Sequence, residues 1–239
     1  MDGWFYYGIS NGAGVLFTVV FLAVCIPRFK NADYKRKCKP LRFVFILLIL
    51  LEIAKIGYHI ADTGSYPPQR YPIVFCSLTM YVYPILCHAD KDKLPARISA
   101  ALAIIPSVVI GGMYLFVTPA AHGNTWYSFI MNLHSRFYHF CMFAGAIYML
   151  ATNMYDFRFQ DWFPVCNTVN AYFLFCTVMS LFLGGDISYF GPNSKPMSLV
   201  YDTFGYVVGN VLLCIVVYLV GLAVYGGVRF VKEKLLKKR

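Results

Sequence analysis

Glu52, Lys55, His59 and Asp62 follow one another at steps of three, four and three residues. On an α-helix that spacing places all four on one face. Glu52 and Lys55 can pair, which lowers the cost of each charge, either as a structural ion pair or as the wall of a polar cavity. A second series, Ser128, Asn132, Arg136 and His139, advances by four, four and three and forms another stripe. His134 lies off that stripe, because five residues correspond to about 140° around a helix. Asn167, Asn170 and Thr177 make a third polar face. Asp202 and Asn210 occupy the last apolar stretch, Asp202 near its outer end. Interhelical hydrogen bonding alone would explain an isolated Asn or Ser. Glu, Lys, Arg and His together predict a hydrated, substrate-binding cavity lined by Glu52, Lys55, His59, Asn132, Arg136 and Asp202.

Cys76 enters an apolar stretch just after Pro72. A thiol beside an imidazole becomes a nucleophile, since the histidine helps to form the thiolate. Nothing in its spacing separates Cys76 from the other seven cysteines. No C-x-x-C pair is present, so neither a metal site nor a cofactor is expected. At 1.5 Å per residue, Cys76 lies about 8 Å and His139 about 20 Å below the outer boundary. His134 and His59 come nearer the depth of Cys76.

The elements that must carry these residues are apolar. Of the 239 residues, 59% are hydrophobic and only 13% charged, against about a quarter charged in soluble domains. The mean hydropathy is +0.59. Seven runs, Trp4–Pro27, Leu41–Asp62, Tyr71–Cys87, Ile98–Val117, Trp126–Ala151, Val165–Leu183 and Leu199–Val228, each approach the ~20 residues that cross a bilayer as a helix. The third is the shortest and contains Pro72 and Pro84, so a re-entrant segment is the alternative there. Only Asp2 precedes the first run as a charge, so a retained span is expected rather than a cleaved signal.

Lys and Arg set the orientation. Seventeen of the 21 flank the odd-numbered loops or the tail, and only Arg70 and Lys195 flank the other side. The positive-inside rule then predicts an all-α, seven-helix bundle with its N-terminus outside and its C-terminus cytoplasmic. Residues 1–228 form the transmembrane domain and 229–239 a basic tail lying on anionic lipid. The net charge of +10 is spread over short flanks between apolar runs, so nucleic acid is excluded as a partner.

The stretch YPIVFCSLTMYVYPIL around Cys76, the VTP turn at Val117–Pro119, FYHFCMFAGAIYML in the fifth run and GGDISYFGPNSKP from Gly184 to Pro196 occur in an order that resembles the YwaF-like bacterial integral membrane proteins. Those proteins are related to a eukaryotic transmembrane family of cysteine acyltransferases acting on phospholipids. The resemblance implies an acyl-transfer pair, the cysteine of the third span and a histidine of the fifth. They correspond to Cys76 and His139, with His134 as the other candidate. Where the family often has Asn in its last outer loop, this chain has Asp186, which we include among the substrate-binding candidates.

The expected protein is thus a multi-pass cell-membrane protein with a polar intramembrane cavity. A cysteine-dependent acyltransferase or acyl hydrolase acting on a membrane phospholipid is one reading. A small-solute transporter or channel, or a non-catalytic structural membrane protein, is the alternative.

Overall fold

The computed structural model describes residues 3–67, 71–116, 126–183, 186–188, 191 and 197–236, and all regular secondary structure among them is helical. The helices are α1 (Gly3–Phe29), α2 (Tyr34–Thr63), α3 (Leu78–His88), α4 (Leu94–Phe116), α5 (Trp126–Ala151), α6 (Trp162–Leu183), α7 (Ser198–Phe204) and α8 (Tyr206–Leu236). Single 3-10 turns, Phe75–Ser77 and Phe159–Asp161, lead into α3 and α6. The Val117–Pro119 turn lies outside the described residues, as does most of Gly184–Pro196.

Five segments are long and apolar enough to cross a membrane: Gly8–Phe29, Tyr34–Thr63, Leu94–Met113, Phe159–Leu183 and Tyr206–Phe230. α5 has the length, 26 residues, but Asn132, His134, Arg136 and His139 lower its hydropathy. The third apolar run yields only the 11 residues of α3 as α-helix. The last run is broken at Gly205, whose φ of 78° ends α7. α8 continues past residue 228 to Leu236, so the start of the basic tail is helical.

The chain divides into two units. The first contains α1 to α5. α5 packs against α1, α2 and α4, while α3 packs against α2 and α4. Close approach depends on small residues, as it does between helices in lipid. A Cβ at Gly14 of α1 would enter the Phe140 ring, one at Gly111 of α4 would meet Phe143 and the His139 carbonyl, and one at Gly145 would meet the Tyr83 hydroxyl. Phe17 stands edge-on to Phe137 at 5.3 Å and Phe21 to Tyr148 at 5.9 Å.

One end of this unit is fastened by hydrogen bonds. Asp33 caps α2 by accepting from the Arg36 amide at 2.8 Å. Tyr34 donates to the Leu86 carbonyl at 2.9 Å, Tyr148 to the Lys37 carbonyl at 3.0 Å, and Lys37 to the Thr152 carbonyl at 2.6 Å. The basic starts of α2 and α4 therefore share an end with the last turns of α3 and α5.

The second unit contains α6, α7, α8 and residues 67–75. Tyr172 of α6 donates to the Ile73 carbonyl, and Asn170 to the Cys214 carbonyl of α8 at 3.3 Å. Tyr201 donates to Asn210 at 3.2 Å, folding α7 back on α8. Val207, Val211, Ile215 and Leu219 leave an apolar face of α8 exposed, as a helix facing lipid does.

The glycine contacts give a paired test. Gly14→Val should lower stability by about 1–3 kcal/mol through overpacking against the buried Phe140. Gly12→Val, with nothing near its Cβ, should leave the thermal midpoint of the purified protein unchanged.

Candidate functional site

In the first unit, three segments bring chemistry-bearing side chains together. α2 supplies Glu52 and Lys55, one turn apart and joined as an ion pair, with side-chain exposures of 6% and 13%. The 3-10 turn before α3 supplies Cys76 and Ser77. α5 supplies His134 and Tyr138.

Cys76 is half-buried and lies within electrostatic range of both Glu52 and Lys55. Tyr138 lies within range of Glu52 and Cys76, and its hydroxyl sits near Ser77. His134 reaches the α2 backbone at Leu51 and lies within range of Lys55 and His139. Its ring centroid is 5.8 Å from that of Tyr138. The cluster is thus a thiol flanked by an ion pair and two hydroxyls, with the His134 imidazole beside Lys55 and Tyr138.

Ser77 and Tyr138 are 1% and 2% exposed. Ser77 Oγ, Tyr138 OH and His134 Nε2 are buried atoms that have no hydrogen-bond partner among the described residues. Native proteins rarely leave such atoms unpaired, because each costs about 1–3 kcal/mol. The two hydroxyls beside the Cys76 thiol form a surface that a polar ligand can satisfy.

The remaining candidates sit elsewhere. His139 is buried, with Nδ1 2.6 Å from the Ser135 carbonyl. Arg136 turns to α1, donating to Asn11 at 2.7 Å. Asn132 is half-buried on α5. His59 lies nearer the far end of α2, bonded to Thr63 at 2.8 Å and edge-on to Tyr66 and Tyr127, while Asp62 is exposed. Asp186 and Asp202 belong to the second unit. Asp186 accepts from the Gly191 amide at 2.9 Å, bracing its loop, and Asp202 is exposed on α7. Among the described residues, no group of three or more His, Cys, Asp or Glu side chains is arranged to hold a metal ion.

The sequence reading missed Ser77 and Tyr138. Their only signal was position: Ser77 follows Cys76, and Tyr138 lies four residues after His134, on the same helical face.

A model of the TMEM164 family matches residues 6–224 of the chain. No curated protein and no solved structure matches it.

The ion pair yields a test of what holds the cluster. Lys55→Met leaves the buried Glu52 carboxylate uncompensated and should cost about 3–5 kcal/mol. The double variant Glu52→Leu/Lys55→Met should recover most of that loss, read as the thermal unfolding midpoint in detergent.

Proposed function

The chain belongs to the TMEM164 family of transmembrane proteins, and from that premise we propose that it transfers an acyl group of a membrane phospholipid through Cys76. The observation that carries this reading is the pair of buried hydroxyls, Ser77 and Tyr138, that share one thiol with the Glu52–Lys55 ion pair. The resemblance described above supports it independently, since it points to the same cysteine.

The chemistry runs as an acyl exchange. A histidine of α5 takes the Cys76 proton, and the thiolate attacks the carbonyl carbon of a lipid ester. The tetrahedral oxyanion accepts hydrogen bonds from Ser77 and Tyr138. The ester C–O bond breaks, and the leaving alkoxide of the lysolipid takes the proton from the imidazolium. The acyl group remains as a thioester on Cys76. An incoming hydroxyl, from a second lysolipid or from water, gives its proton to the imidazole and attacks the thioester. The sulfur leaves and recovers that proton. Lys55 supplies positive charge beside the thiolate.

The resemblance assigns the base to His139. His134, whose Nε2 is buried and which sits by Lys55, is the other candidate.

For the frame, we propose seven crossings, with α3 and α5 joining the five apolar helices, and with the basic ends in the cytoplasm. A single-cysteine variant at Lys35 should then react with an impermeant maleimide only after the membrane is opened.

An acyl-phospholipid probe should label the wild-type protein and fail to label Cys76→Ala. Ser77→Ala and Tyr138→Phe should each slow acylation by about 10²–10³-fold. The base is the histidine whose alanine variant loses about 10²–10⁴-fold. Equal labelling of wild type and Cys76→Ala would remove the enzyme reading and leave transport or a structural role.

A further inference from the structure

A cavity of about 200 Å³ opens between α2 and α3 at the basic end of the first unit. Phe45 and Ile46 wall it from α2, Pro84 and Cys87 from α3, and its lining is almost wholly apolar. Besides the buried Tyr83, two polar side chains sit in the same lining, Arg42 on α2 and His88 on α3. Both are exposed. This cavity is separate from the cluster around Cys76. Arg42 precedes Glu52 by ten residues, about 15 Å along the helix, and His88 ends α3 while Cys76 precedes its start.

The face of α2 that borders the cavity changes character along its length. Lys35, Lys39 and Arg42 follow at steps of four and three, and all are exposed. The same face continues with Ile46, Leu50 and Ile53, which are 55%, 57% and 59% exposed. Arg42 therefore stands at the seam between a cationic band and an apolar one. The guanidinium lies beside Cys87, at the rim of the cleft. His88 Nδ1 is 2.8 Å from the Pro84 carbonyl, so Nε2 is the nitrogen left to meet a ligand.

Together these features match one kind of molecule: an amphiphile with an anionic head and an apolar tail. We infer that this cleft is a binding site for an anionic phospholipid, with the phosphate held by Arg42 and His88 and an acyl chain laid against Phe45, Ile46 and Pro84. Basic pockets between transmembrane helices recognise lipid headgroups in this way, and a guanidinium suits a phosphate in particular. A soluble phosphate would use the rim and leave the apolar cleft unfilled. A zwitterionic lipid would present the same phosphate but carry a cationic head group into the cationic seam. The site does not depend on acyl transfer at Cys76.

The test uses the full-length protein in bilayer nanodiscs with two photoreactive lipids, a phosphatidylglycerol and a phosphatidylcholine, each with the same diazirine-bearing acyl chain. Crosslinked peptides are mapped by mass spectrometry. The phosphatidylglycerol probe should label residues 42–46 and 84–88 about five-fold more than the phosphatidylcholine probe, the factor that one cation contributes at an anionic surface. Arg42→Gln should remove that preference and Arg42→Lys should keep most of it. Arg229→Gln, which removes one cation from the far end of α8, should change nothing. Equal labelling by the two probes overturns the inference, leaving only an apolar lipid annulus. Loss of the preference on adding glycerol phosphate overturns it in favour of a soluble anion. The comparison of the two probes on the wild-type protein decides the matter even where Arg42→Gln does not fold.

Discussion

A charge placed in hydrocarbon must find a partner, and in this protein the partner of Glu52 is Lys55. At a helix centre each alone costs at least ~2.5 kcal/mol. Pairing on adjacent turns of one helix reduces that cost but fixes which face of α2 can turn inward. The opposite face, with Ile46, Leu50 and Ile53, is left to lipid. Once α2 is rotated in this way, the turn carrying Cys76 and Ser77 and the α5 face carrying His134 and Tyr138 border the pair. The chemistry of the cluster follows from where one ion pair has to be.

The cluster also depends on how closely α5 can approach its neighbours. Gly14, Gly111 and Gly145 each stand where a side chain would collide with a buried aromatic or a backbone carbonyl. The resulting contacts fix α5 on several sides at once. That explains why its polar residues point in different directions, Arg136 to α1 and His134 to α2. A helix with one neighbour has one polar stripe. A central helix has several faces, each with its own use.

Hydropathy made most of the frame legible, because a helix must hide its backbone from lipid and long apolar runs are the plainest record of that need. It did not reveal the break between α7 and α8. Gly205 interrupts the geometry without interrupting the apolar character, and only its positive φ marks the corner. Periodicity grouped Arg136 with His139 and set His134 aside, since counting along a single helix contains no information about neighbours. Ser77 and Tyr138 were invisible for a related reason. An unpaired hydroxyl is a property of what surrounds it, and spacing does not record surroundings.

The brevity of α3 reaches beyond the protein. Eleven α-helical residues and one 3-10 turn span about 22 Å, against about 30 Å of hydrocarbon in an ordinary bilayer. As one of the seven proposed crossings, a segment that short creates hydrophobic mismatch, which lipids relieve by thinning around it. Thinning brings the glycerol esters of the adjacent leaflet down toward the turn that carries Cys76. Under the proposed acyl transfer, this deformation of the solvent brings the scissile bond toward the thiol, and bilayer thickness becomes a variable of that proposed reaction.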